Sequence, residues 1–476
     1  MNIHHPILNA DSYKMGHFLQ YPADAKYISS YGEARGTSDP KLTRVMNFGM
    51  RVYVRDVLSI QITMRDVEYA KKRVEAHGVP FNYDGWKYIV EEHNGYLPIV
   101  IKAIPEGQVV PLGTPLFQVV NTDPMVPWLV SYIETALLRA IWYPTTIASK
   151  SLRDRKTIEK YLLETTGSTE GAQFMLHDFG ARGVSSNESA AIGGMAHLAA
   201  GFMGTDTFVA LEYAKEYYGE DMAAFSVIAT EHSTTTINGE DGERDFLEKM
   251  IDQCPDGAIT SCVIDSYNDV RAVSEYIGTH LKDKVIALGD RGSRFVARPD
   301  SGDPILVPVQ MVEILADKFG TTTNEQGYKV LPDYIRVLQG DGIDSNDLAM
   351  ILEMLKDLKF AASNIVFGMG GGLLQKVNRD TLKFAMKCNA WSRDGKTWID
   401  VFKNPASGKK TSKKGHIFFV NAKGEHQVKP TVGMLTQTAD VPYNIFTTIY
   451  AYNKRRLTPA YEPKFADVRA LADRTY

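Results

Sequence analysis

HDFGARGVSS, residues 177–186, turns from apolar to polar within two positions: Phe174–His177 reads as a short strand, and a loop carrying Arg182 leads to a helix expected over Ser186–Phe202. Five more clusters repeat the switch: TEHSTT (230–235), IDSY (264–267), ARPDSGD (297–303), QGDGID (339–344) and FGMGGG (367–372). Each follows a short apolar run and precedes a helix-like stretch. Strands alternating with helices at this stride predict an α/β fold, a parallel barrel. Loops at successive strand ends are where such a barrel gathers Arg, Asp, His and bare amides around one anionic ligand.

Working outward, Ala258–Ile264, Phe295–Ala297, Ile335–Leu338 and Ile365–Phe367 read as further strands. Ser345–Phe360 is the clearest helix. Leu348, Ile351, Leu352, Leu355 and Leu358 form its apolar stripe, and Asp344 or Ser345 is available as its cap. Residues 40–95 look largely helical, and 96–121 alternate Val and Ile with Pro and Gly as short antiparallel strands do. Trp128–Ile141 reads as an apolar helix. After Asp380 the strand character returns in IDVFK and in a hairpin, HIFFV–NAKGE–HQV. The expected division is a barrel domain over 149–380 and a β-rich, partly helical domain built from 1–148 with 381–476.

Bulk properties narrow the function classes. With 476 residues, 44% apolar and 23% charged, the chain has the make-up of a globular protein. A net charge of −4 gives no basic field for nucleic acid. No apolar run reaches membrane-spanning length. MNIHHPILNADSYK lacks the pattern of a signal peptide, so none is expected. Cys254, Cys262 and Cys388 form no CxxC pair, which fits a reducing cytoplasm better than a disulfide framework or a zinc site.

The loops carry recognisable chemistry. Arg298 and Asp300 flank a stiffening proline. The guanidinium suits a phosphate, and the carboxylate suits ribose hydroxyls or Mg2+; a surface turn with its own ion pair is the alternative. Gly340 permits close approach and Asp341 offers a carboxylate, or the two simply turn the chain into the next helix. Gly370, Gly371 and Gly372 present amides suited to phosphate, or serve tight packing. The run is not GxGxxG, and no GxxxxGK[ST] occurs. Phe179 offers a flat face for a ring, or is a core residue. Asp206, in GTDT, suits an amide NH2 or caps a helix. His232 suits acid–base or phosphoryl chemistry, or is structural. GKKTSKKGH (408–416) is a solvated loop or a cap on diphosphate.

Read together, DSYKMGH (11–17), NTDP (121–124), YLLET (161–165), LHDFGARGVSS, GTDT, EHST, DSY, RPDSG, QGDG, GGGLLQK and SKKG resemble the nicotinamide phosphoribosyltransferase family over nearly the whole chain. The resemblance implies an irregular α/β barrel with a β-rich domain, in a head-to-tail homodimer with active sites at the subunit interface. It implies that nicotinamide attacks C1 of 5-phosphoribosyl 1-diphosphate, giving nicotinamide mononucleotide and diphosphate in NAD salvage, with Mg2+ as cofactor and ATP as co-substrate. By motif, Phe179 would stack on the nicotinamide ring, Tyr13 of the other subunit would cover it, and Asp206 would accept from its carboxamide. Arg182 and Arg298 would bind diphosphate or the ring end; Asp300, Gly340 and Asp341 would hold ribose. Gly371 and Arg379 would hold the 5′-phosphate, with Arg35, Lys387, Lys403 and Lys410 as further phosphate contacts. His232 would be phosphorylated by ATP, with Glu231 beside it and Asp265 near the metal; Asp265 and Asp300 are the expected metal ligands. Phe174 and Ala181 stand where tyrosines are usual, and Ala385 where a serine is. Nicotinate phosphoribosyltransferase is the nearest rival activity. A non-catalytic signalling role on the same fold is the other.

Overall fold

A computed structural model of the chain describes residues 4–406, 411–421, 423, 426–429, 445–453, 456–458 and 462–476. Two compact units emerge: Lys150–Lys376, and Met1–Ser149 with Val377–Tyr476.

The first unit is built on six parallel strands. Their spatial order is Leu176–Asp178, Ile365–Met369, Ile335–Gln339, Arg294–Arg298, Ile259–Val263 and Ile228–Ala229. Parallel strands are covered on both faces, and here residues 260–263, 295–297 and Ile335–Gln339 are buried at every position. Single parallel bridges continue the wall past Asp178, to Thr205 and then from Gly204 to Phe225. Phe225 lies three residues before the last strand, so the sheet curls into an irregular barrel whose final stretch is bridges rather than strands. Register matters for function. Val263 lies beside Arg298, Gln339 beside Phe367, and Met369 beside Asp178, so the loop-bearing ends stand at one level.

Local chemistry sets the helices. Ser186 caps Asn187–Ala199 by accepting from the Ser189 amide at 3.1 Å. Asp344 and Asp347 form a reciprocal capping box at the start of Ser345–Asp357, whose Leu348, Ile351, Leu352 and Leu355 are buried. Several sequence expectations need correction. The apolar stripe ends at Leu355: Leu358 is half-exposed, and Lys359 turns the chain at φ 63°. Phe174 belongs to a 3-10 turn, Ala172–Phe174, rather than to the strand. The triple glycine leads into a single turn, Gly371–Leu374, not a long helix. Trp128–Ile141 breaks at Ile133; the next helix, Glu134–Thr166, runs 33 residues through Pro144.

The second unit holds a seven-stranded antiparallel sheet drawn from both chain ends. Its order is Trp398–Asp400, Phe384–Ser392, Tyr27–Ala34, Pro115–Asn121, Ile99–Ala103, Thr447–Asn453 and Arg456–Thr458. The expected hairpin is present as Ile417–Val420 paired with His426–Lys429. Residues 40–95 are largely helical, in Met50–Tyr53, Val54–Leu58, Met64–Ala76 and Tyr83–His93, with a short strand at Arg44–Met46 ahead of them. Trp86, Trp128 and Tyr132 meet edge to face in the core, with centroids 5.0–5.6 Å apart. Among the described residues no helix is long and apolar enough to cross a membrane.

Candidate active site

Phe179 anchors one end of the barrel mouth. Its amide donates to the Met369 carbonyl at 3.1 Å, which ties the first loop to the last strand. A Cβ added at Gly368 would overlap Phe179 Cε2, so only glycine lets the ring lie there. At Gly340 an added Cβ would sit 3.4 Å from Phe179 Cε2 and 3.4 Å from Arg298 Cδ. Ring, bare backbone and guanidinium stem therefore share one spot, although 179, 298 and 340 come from the ends of three different strands. Gly183 packs equally close to Gly371: a Cβ there would lie 3.3 Å from the Gly371 amide nitrogen. Gln375 Nε2 donates to Ser185 Oγ at 3.1 Å across the same pair of loops.

His232 is the centre of a second cluster. Its Nε2 is 2.9 Å from Asp265 Oδ1, and its Nδ1 is 3.8 Å from Asp300 Oδ2. The imidazole is 45% exposed while the Asp265 side chain is only 4% exposed, so a reachable ring is held by a buried carboxylate. Glu231 caps the short helix His232–Thr236 and accepts from Ser233 Oγ at 2.6 Å. The Arg298 guanidinium donates to the Thr230 carbonyl. Burial pushes the Asp300 carboxyl up; Asp265 and Asp341 push the same way, and Arg298 and His232 oppose them. Carboxylates crowded in this way favour a cation between them. Among the described residues no group of three or more His, Cys, Asp or Glu is set to hold a metal.

Asp206 is exposed and accepts from Ser226 Oγ, while its amide donates to the Asp178 carbonyl at 2.9 Å. Burial lowers the His177 imidazole, and Asp206 opposes that. Asp178 is buried, and its carboxyl is pushed up to about 6 by desolvation. Ser261, buried on the Ile259–Val263 strand, has an Oγ without a hydrogen-bond partner among the described residues. The motif reading passed over Asp178, Ser226 and Ser261. Asp178 had a local signal, an Asp two residues before a glycine turn; Ser226 and Ser261 had none.

Arg182 is exposed on the 3-10 turn Ala181–Gly183, as is Ala181. The remaining expected residues belong to the other unit. Tyr13 is 62% exposed, with Lys14 Nζ 5.3 Å from its ring centroid. Arg35 Nε donates to the Lys383 carbonyl at 3.2 Å. Burial lowers the Lys387 amine; Glu134 opposes this, and Arg35, Lys14 and Arg379 add to it, so these cations form one group. Lys403 lines a concavity of about 470 Å³ with Phe402, Lys413 and Lys414. Ala385 is buried opposite Glu33 in the sheet. Lys410 lies outside the described residues.

The family model described as nicotinate phosphoribosyltransferase (NAPRTase) family matches residues 174–440, and that described as nicotinamide phosphoribosyltransferase, N-terminal domain, matches 5–101. A nicotinamide phosphoribosyltransferase of Xanthomonas campestris pv. campestris is 44% identical over 426 residues, covering 89% of each chain. One from Acinetobacter baylyi is 31% identical over 86% of this chain and 87% of its own. In fold, the chain is similar to nicotinate-nucleotide pyrophosphorylase from Pyrococcus furiosus, with TM-score 0.59, 15% identity, and 98% and 95% coverage. It is also similar to human nicotinic acid phosphoribosyltransferase, with TM-score 0.54, 15% identity, and 98% and 93% coverage.

Proposed function

The chain belongs to the nicotinamide phosphoribosyltransferase family, and from that premise we infer that it is an enzyme of NAD salvage that moves the phosphoribosyl group of 5-phosphoribosyl 1-diphosphate onto nicotinamide. The observation that carries the residue-level reading is the meeting of Phe179, Gly340 and Arg298 at one point, with Phe179 tied to the strand that leads to Gly371.

Nicotinamide stacks on Phe179, and Tyr13 from a second copy of the chain covers its other face. A homodimer with shared active sites is therefore part of the proposal. Asp206 accepts from the carboxamide NH2 and turns the ring nitrogen towards the sugar. Asp300, Gly340 and Asp341 hold the ribose hydroxyls. Gly371 and Arg379 hold the 5′-phosphate, with Arg35, Lys387, Lys403 and Lys410 as further phosphate contacts. The ring nitrogen's lone pair forms the bond to C1 as the C1–O bond breaks and its electrons leave with the diphosphate. The nitrogen is unprotonated before attack and becomes a pyridinium, so the chain need not supply a general base. Its work is orientation and stabilisation of the departing charge by Arg182 and Arg298. Mg2+, which Asp265 and Asp300 would hold, supplies further charge neutralisation on the diphosphate.

In this reading an imidazole nitrogen of His232 bonds to the γ-phosphorus of ATP as the bond from that phosphorus to the bridging oxygen breaks and ADP leaves. Asp265 orients the ring through Nε2, and the exposed imidazole remains reachable. Phosphorylation then improves turnover rather than forming the glycosidic bond. A cytoplasmic setting fits the three free cysteines. Nicotinate is the competing base, but its carboxylate would face the Asp206 carboxylate, and beside so exposed a group like charges about 4 Å apart cost about 1–2 kcal/mol, within the range from water to an effective dielectric near 20. The test is product formation by the purified chain with nicotinamide or nicotinate, with and without ATP. Equal use of both bases would remove the argument from Asp206, and an unaltered rate with ATP would remove the role of His232.

A further inference from the structure

Asp178 lies between the ring-stacking residue and the amide acceptor, yet the reading above gives it no task. Its Oδ1 accepts from the Gly180 amide at 2.7 Å, which fixes the turn immediately after Phe179. Its Oδ2 accepts from Thr205 Oγ1 at 3.3 Å, and its carbonyl accepts from the Asp206 amide at 2.9 Å. The Asp178 amide donates to the Gly204 carbonyl at 3.2 Å. Thr205 Oγ1 also accepts from the Thr207 amide at 3.0 Å, so the acceptor segment is locked on both sides of Asp206. The carboxylate has been given room: a Cβ at Gly194, on the neighbouring helix, would lie 3.0 Å from Oδ2.

We propose that Asp178 is a positioning residue of the base pocket, its carboxylate setting the distance between Phe179 and Asp206 so that nicotinamide meets both at once. This rests on the nicotinamide reading given above. A wholly buried carboxylate is an expensive strut. Desolvation raises its carboxyl, Asp206 adds to the rise, and the groups that oppose it are the Thr207 hydroxyl first, then the Gly180 amide and the Thr205 hydroxyl, rather than a cation. Such groups persist where geometry matters more than stability.

The experiment uses the full chain with Asp178→Asn, Thr205→Val and Thr205→Ser, each taken through steady-state kinetics on both substrates and a thermal melt near neutral pH. Losing one hydrogen bond of the strut should raise KM for nicotinamide about fivefold or more in Asp178→Asn and Thr205→Val. KM for 5-phosphoribosyl 1-diphosphate and kcat should stay close to those of the parent, and Thr205→Ser should behave like the parent. Asp178→Asn should melt no lower than the parent, because it removes a buried charge. An unchanged nicotinamide KM in both altered chains overturns the proposal, as does a parallel loss in both KM values and melting temperature. If Asp178→Asn does not fold, Thr205→Val against Thr205→Ser decides. A folded parent that makes no nicotinamide mononucleotide fails the functional reading instead; an active parent with indifferent variants fails this inference alone.

Discussion

Replacing Asp206 with asparagine removes one charge while keeping the size of the side chain. Nicotinamide and nicotinate differ by one carboxylate, so the substitution isolates the electrostatic part of base choice. Two unit charges about 4 Å apart repel by roughly 1 kcal/mol in water and roughly 4 kcal/mol at an effective dielectric near 20. Asp206 is exposed on this chain and already accepts from Ser226 Oγ, so the lower half of that range applies until a second subunit or the substrate excludes water. About 1–2 kcal/mol corresponds to a fall of about five- to thirtyfold in preference for nicotinamide. The assay is a competition between the two bases, read as the ratio of kcat/KM in parent and variant. Added salt should erode the parent's preference, because screening weakens exposed charges, and should leave the variant's nearly flat. If Asp206→Asn loses activity on nicotinamide while nicotinate use stays where it was, Asp206 acts only as a hydrogen-bond acceptor and the charge argument is wrong. An unchanged ratio refutes the charge argument alone, because the asparagine carbonyl oxygen still accepts a hydrogen bond.

His232→Ala should retain basal transfer and lose its response to ATP, together with the acid-labile phosphate label that the parent acquires; full ATP stimulation in the variant contradicts the phosphohistidine role. Gly368→Ala should displace Phe179, since the new methyl would overlap Cε2, and should raise KM for nicotinamide about five- to a hundredfold, the range expected for a lost aromatic stack; isotherms of nicotinamide binding to the variant check this. Asp178 makes stability depend on pH. Its folded carboxyl, at about 6, lies above the ordinary value of 3.8, so its contribution is fully present below about 4 and is lost as pH rises through 6. The loss amounts to up to about 3 kcal/mol. The difference in melting temperature between Asp178→Asn and the parent should therefore grow in the variant's favour from pH about 4 to about 7, and a difference that stays constant with pH contradicts it.

The sequence made the central architecture readable where the signal was local. Serine before Asn187 and aspartate before Ser345 are caps whose partners lie three residues away, and both act as caps. The strands Ile335–Gln339 and Ile365–Met369 are short, apolar and bounded by glycine, as buried parallel strands are. What the sequence obscured is non-local. The wall from Asp178 to Phe225 consists of single bridges among glycine, threonine and aromatic residues, with no periodicity to betray it. Ile228–Ala229 is two residues long and exposed on both, too brief for any pattern. The triple glycine looked like a helix start, but Gly370 adopts φ −91° and ψ −110° and only one turn follows. In the site, Phe179, Arg298 and Gly340 were legible because each sits in an unusual motif. Ser226 was not, because its contact with Asp206 exists only once the two come together, and Asp178 showed only the turn signal before Gly180, not its contact with Thr205.

The most direct measurement is the stoichiometry of product formed by the purified chain from nicotinamide and 5-phosphoribosyl 1-diphosphate with Mg2+. The account predicts one diphosphate released for each nicotinamide mononucleotide made, and a rate that collapses when Arg298 is replaced by alanine. Diphosphate release without mononucleotide, or an Arg298→Ala chain as active as the parent, would contradict it.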